Sequence, residues 1–252
     1  MSAGRQPDAL ARPSPLLEVE GLDAGYGPLQ ILYGVTLHVG AGEQVLVFGP
    51  NGAGKSTLMK ALVGLVKLDA GRVTFAGAPV SELPTEAIVR RGIGYVPQID
   101  NVFGSMTVSE NLEMGGATLG RREAQRRVRE LEERFPLLGE RRTQAARTLS
   151  GGQRQVLAMA RALMQEPRLL LVDEPTAGLA PQAVRSVFET IRAISRSGTA
   201  VLMVEQNARQ ALELAGRGFV LAGGVTRYRG TGAELLADPE VARSFLGGGG
   251  HV

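Results

Sequence analysis

The chain of 252 residues is 44% hydrophobic and carries a formal net charge of +3, enough apolar content for one sizeable core and too little excess charge to argue for a nucleic-acid surface. It has no cysteine, which excludes disulfide scaffolds, thiolate metal sites and thiol nucleophiles. Its longest apolar runs, such as Leu169 to Val172, are strand-sized, far short of the roughly 20 residues of a membrane-spanning helix.

Residues 1–15 are rich in Pro, Ala and Arg and lack an apolar signal core, so they are expected to be a disordered leader with no export function. The folded body is expected over 16–247, with a flexible tail at 248–252. Of 28 basic residues 25 are arginine, and the three lysines, Lys55, Lys60 and Lys67, fall in one short region.

The first chemical signal is "QVLVFGPNGAGKSTLMKAL", in which a strand-like apolar run ends in a glycine-rich turn and a helical period follows. Gly49, Gly54, Lys55 and Ser56 match G-x-x-x-x-G-K-[ST]. In such a loop the backbone N–H groups of Gly49, Pro50, Asn51, Gly52, Ala53 and Gly54, proline excepted, can curl around phosphate oxygens at a helix N-terminus. Lys55 would reach the outer phosphates, the Ser56 hydroxyl would ligate Mg²⁺, and Thr57 can add a phosphate hydrogen bond. The loop therefore predicts a nucleoside-triphosphate site with Mg²⁺, and by itself it leaves kinases, GTPases, helicases and motors open.

From about 101 to 148 the pattern is helical and charged, and "RREAQRRVRELEERF" reads as a solvated amphipathic helix, its arginines interleaved with glutamates. The next stretch, "RTLSGGQRQVLAMARALMQEP", opens with Ser150 as a helix cap. Gly151 and Gly152 leave the helix start bare, so hydroxyl, N–H groups and helix dipole can face an anion. In "PRLLLVDEPTAGLAP" a buried parallel strand delivers Asp173 and Glu174 to the crevice where α/β sheets bind ligands. Asp173 suits the Mg²⁺ shell, and Glu174 suits the orientation of an attacking water. A last strand, "AVLMVE", runs into Gln206.

Leu149 to Gln153, "LSGGQ", together with the phosphate loop and the acidic strand, resembles the ATP-binding cassette ATPases. The resemblance spans nearly all of 16–247. It implies an α/β fold: a P-loop NTPase core of cassette type, an N-terminal antiparallel β subdomain and an α-helical signature subdomain at about 101–148. It also implies that Tyr26 stacks on adenine, that Gln98 in "IGYVPQ" touches metal and water, and that Ser150, Gly151, Gly152 and Gln153 close over the ATP of a second chain.

Finer features, "VFGSMTVSENLEMGG", "GLAP" at Gly178 to Pro181, "VEQN" at Glu205 to Asn207 and a C-terminal "FLGG", look like ATPase subunits of branched-chain amino acid importers, with urea and short-amide importers closely similar. The implied partners are two transmembrane permease subunits and, indirectly, an extracytoplasmic solute-binding protein, with the ATPase peripheral on the cytoplasmic face of the membrane. A soluble cassette ATPase is the alternative, although no basic cluster outside the helical subdomain offers a nucleic-acid surface. The chain departs from the family twice. Gln206 stands where a histidine usually meets the γ-phosphate, and an amide cannot become a cation. Ala180 stands where an aspartate usually faces the partner. A related partner carrying its own histidine and aspartate would complement both, which favours a heterodimer over a homodimer.

Overall fold

The computed structural model describes residues 15–246. The leader and tail expectations lie outside the described residues, except for residue 15.

The chain begins with a long antiparallel hairpin, β1 (Leu17–Tyr26) and β2 (Leu29–Val39). With β4 (Leu68–Phe75) and β5 (Ala78–Pro79) it forms a four-stranded antiparallel sheet in the order β2-β1-β4-β5. This is the expected N-terminal β subdomain. The second sheet has six strands: β3 (Gln44–Phe48), β6 (Ile93–Val96), β7 (Leu169–Asp173), β8 (Ala200–Glu205), β9 (Arg217–Ala222) and β10 (Val225–Thr231). Their order is β10-β9-β3-β8-β7-β6, parallel from β9 to β6, with β10 antiparallel on β9.

The central strands are apolar without interruption because both faces of the sheet are covered. Alternate residues go to opposite layers, as the period-2 geometry of a strand requires. Val45, Val47, Leu169, Leu171, Leu202 and Val204 pack toward the β subdomain and α1 (Lys55–Leu62). Leu46, Phe48, Leu170, Val172, Val201 and Met203 join the other core with α6 (Gly151–Leu163) and α7 (Pro181–Arg196). The remaining helices are α2 (Thr85–Arg90), α3 (Val108–Gly115), α4 (Arg121–Arg134), α5 (Pro136–Glu140), α8 (Ala208–Leu212), α9 (Gly232–Ala237) and α10 (Pro239–Phe245).

The stretch expected to be helical from about 101 contains α3, α4 and α5, but its first residues form a turn instead of a helix. Asn111 fixes that turn from inside α3, accepting from the Phe103 N–H at 2.7 Å and donating to the Phe103 carbonyl at 3.0 Å. Helix α4 buries only Val128 and Leu131 and is laced on its outer side by pairs between Arg126 and both Glu123 and Glu130. It is the solvated helix the charge pattern indicates. No helix among the described residues is long and apolar enough to cross a membrane.

Candidate functional site

Loop 49–54 joins β3 to α1, and its glycines are fixed by space and backbone. A side chain on Gly49 would lie 1.9 Å from the Leu221 carbonyl oxygen, and Gly54 caps α1 at φ +99°, where a Cβ would also meet Leu32 at 2.6 Å. Pro50, Asn51 and Gly52 are exposed, Ala53 is buried, and Ala53 N–H donates to the Pro50 carbonyl at 3.2 Å. The loop therefore presents backbone at the N-terminus of α1, the geometry that suits phosphate.

Lys55 is 4% exposed, and its Nζ donates to the carbonyls of Gly49 at 3.0 Å and Pro50 at 3.2 Å. The same ammonium lies 3.1 Å from Glu174 Oε1. Glu174 accepts at Oε2 from the Gln98 side-chain amide at 3.0 Å. One carboxylate thus joins the phosphate loop to the segment following β6. Beside it, Ser56 Oγ donates to Asp173 Oδ1 at 3.0 Å and the Tyr95 hydroxyl approaches Oδ2 at 3.4 Å. Burial pushes the Asp173 carboxyl up from its ordinary range, against the hydrogen bond from Ser56, and burial likewise raises the Tyr95 phenol.

The donor set fits Mg²⁺. Ser56 and Asp173 present hard oxygen ligands within contact of one another, and a raised carboxyl gains from a nearby cation. No cluster of three or more His, Asp or Glu residues that could hold a metal ion occurs among the described residues.

The remaining expected residues divide into two groups. Tyr26 is half exposed, at the end of β1 opposite Leu29, on the hairpin whose Ile31 and Leu32 pack on Gly54. Gln206 is exposed, and it lines an open cavity of about 390 Å³ together with Glu174, Thr176 and Glu205. The structure brings Gln206 to the cavity that Glu174 lines, and it places Tyr26 at the end of the hairpin that packs on Gly54.

Ser150 to Gln153 lie apart, at the start of α6. There Ser150 Oγ accepts from Gln153 N–H at 3.4 Å while Gln153 Oε1 accepts from Ser150 N–H at 3.0 Å, a reciprocal capping box. These two N–H groups are satisfied within the chain. A Cβ on Gly151 would lie 2.6 Å from a terminal methyl of Leu179, which would have to shift to admit it. A buried hydrogen bond from Asn101 to Gln155, 3.0 Å long, links α6 to the segment that follows Gln98.

Three features of the site lie outside the sequence motifs. Tyr95 touches Asp173. Glu174 has φ +43°, a left-handed conformation that is uncommon for a residue with a side chain. Glu205, 1% exposed, accepts from both the backbone and the hydroxyl of Thr176. A carboxylate ending the wholly apolar strand "AVLMVE" was the available signal.

Compared with known proteins, residues 32–177 match the ABC transporter family. The chain is 43% identical to the high-affinity branched-chain amino acid transport ATP-binding protein BraG of Pseudomonas aeruginosa, over 92% of this chain and 100% of that protein. Among solved structures, the ADP conformation of MJ1267, an ATP-binding cassette of an ABC transporter, superposes with a TM-score of 0.82 at 27% identity, covering 93% of this chain and 99% of the other. A dimeric post-hydrolysis cassette, MJ0796 bound to ADP and phosphate, has a TM-score of 0.74 at 25% identity over 85% of this chain and 98% of its own.

Proposed function

This chain belongs to the ABC transporter family, and on that premise we propose that it is the ATP-hydrolysing subunit of a membrane importer for branched-chain amino acids. Proteins of this family bind nucleotide, hydrolyse ATP, dimerise and work with transmembrane permease subunits. The observation that carries the solute assignment is the end-to-end match with BraG. In this reading the chain sits peripherally on the cytoplasmic face, paired with a related ATPase subunit and with two permease subunits that receive solute from an extracytoplasmic binding protein.

The geometry supports a division of labour at the site. Residues 49–57, the loop and the first residues of α1, would cradle the phosphates and Tyr26 would stack on adenine. Lys55 is shared between two loop carbonyls and Glu174. A triphosphate carries more charge than one carboxylate, so it competes for this ammonium and frees Glu174 to orient water, with Gln98 already bonded to its other oxygen. Ser56, Asp173 and Gln98 would hold Mg²⁺, which supplies charge neutralisation at the phosphates. Ser150, Gly151, Gly152 and Gln153 would meet the ATP held by the partner chain. Gln206 belongs to this chain's own site and Ala180 to the partner's, which supports pairing with a subunit that carries histidine and aspartate at those places.

Affinity purification from membranes tests the assignment. It is expected to recover two multispanning proteins and a second cassette chain, and the reconstituted complex should take up labelled leucine in an ATP-dependent way. Uptake of labelled urea without leucine, or fractionation away from membranes, would contradict it.

A further inference from the structure

Glu205 lies at the end of β8, beside the strand that ends in Asp173, and its two oxygens serve two different segments. Oε1 accepts from Thr176 N–H at 2.9 Å and from Thr176 Oγ1–H at 2.7 Å. Oε2 accepts from Gln206 N–H at 3.2 Å. Thr176 lies two residues beyond Glu174, and its carbonyl accepts from Leu179 N–H at 3.2 Å, so the turn is tied at both ends. The turn needs such a tie. Glu174 is held at φ +43°, a conformation costing on the order of 1–2 kcal/mol for a residue with a Cβ, and its own N–H bonds to Val204 at 3.0 Å.

A buried carboxylate is retained only where its oxygens are fully bonded, because desolvation of the charge is otherwise unopposed. Here burial raises the Glu205 carboxyl while the Thr176 hydrogen bonds oppose that rise. The bonds that compensate the charge also fix the Glu174 turn against the backbone of Gln206.

We infer that Glu205 is a positioning residue for hydrolysis: its carboxylate clamps the turn that carries Glu174 to the backbone that carries Gln206, holding both in register at the nucleotide. The inference rests on the reading that Glu174 orients the attacking water. An amide in place of the carboxylate would offer one carbonyl oxygen to donors on both sides and would turn an NH₂ group against an N–H.

The test is steady-state ATP hydrolysis by the full chain with its natural partners, for wild type, Glu205→Gln, Thr176→Val, Thr176→Ser and the Glu205→Gln/Thr176→Val double variant. Glu205→Gln is expected to lower kcat by about tenfold or more while the KM for MgATP stays within about threefold, since the loss falls on geometry at the reacting centre. Thr176→Val should lower kcat less, Thr176→Ser should keep it, and the double variant should be no slower than Glu205→Gln, because both remove one clamp. The clamp is overturned if Glu205→Gln keeps kcat within about twofold of wild type, if kcat and KM change in parallel with a loss of Tm, or if the two substitutions add. Should Glu205→Gln not fold, the Val and Ser variants decide, and equal kcat for both overturns the inference. Glu174→Gln, run alongside, separates the two ideas. If it loses turnover while Glu205→Gln keeps it, only the clamp fails; if it keeps turnover, the water-orienting role fails.

Discussion

Strands β7 and β8 run side by side and parallel, with Asp173 opposite Val204, and every residue of both is buried. Each ends in a carboxylate, yet they direct it differently. The end of β7 turns outward, with Asp173 on Ser56 and Glu174 between Lys55 and Gln98. The end of β8 turns inward, and Glu205 spends both oxygens on backbone and hydroxyl donors of neighbouring turns. Two carboxylates at neighbouring strand ends thus differ in their partners: one set faces the phosphate loop and the other braces a turn.

Removing the cation that the outward end faces should give the largest effect. Lys55→Ala leaves Glu174 and bound phosphates without their ammonium and is expected to weaken MgATP binding by about two orders of magnitude, the scale of a charge-assisted contact. Nucleotide titration checks this, and unchanged affinity would show that the outward end does not face phosphate. Gln206→His sharpens the inward side. It restores a side chain that can carry charge beside the clamp, and about 1–3 kcal/mol of hydrogen bonding to a charged group corresponds to a rise in kcat of about five- to 150-fold. A neutral or lower kcat, measured with and without the partner, would mean that the amide already does the histidine's work.

The smallest effect concerns the turn's far end. Ala180 is the N-cap of the 16-residue helix α7 at φ −66° and ψ 150°, and it provides no side-chain cap, whereas Thr107, Ser150, Thr231 and Asp238 cap their helices. Ala180→Asp should therefore stabilise the isolated chain by about 1 kcal/mol, read as a Tm higher by a few degrees. No increase would mean that the backbone at Ala180 does not leave the α7 N–H groups within a carboxylate's reach.

The same contrast runs through the sequence. The phosphate loop, the signature cap and the acidic end of β7 are local patterns: spacing, a glycine turn and an apolar run state them within about twenty residues, and they stand before α1, at the N-cap of α6 and at the end of β7. What was not legible depends on segments distant in sequence. Gly49 is required by the carbonyl of Leu221, Tyr95 reaches Asp173 across neighbouring strands, and Glu205 meets Thr176 from 29 residues away. Gln206 was the conspicuous departure in the sequence, but the buried glutamate before it makes more hydrogen bonds. The left-handed turn at Glu174 has no sequence sign, since glutamate seldom adopts it.

If Glu174 acts on water while the phosphate loop holds ATP, the nucleotide retained by Glu174→Gln reports on both roles at once. After incubation with MgATP and the natural partner, followed by rapid removal of free nucleotide, the variant should retain intact ATP in a closed dimer and show no steady-state phosphate release. Recovery of ADP at the wild-type rate would contradict the claim.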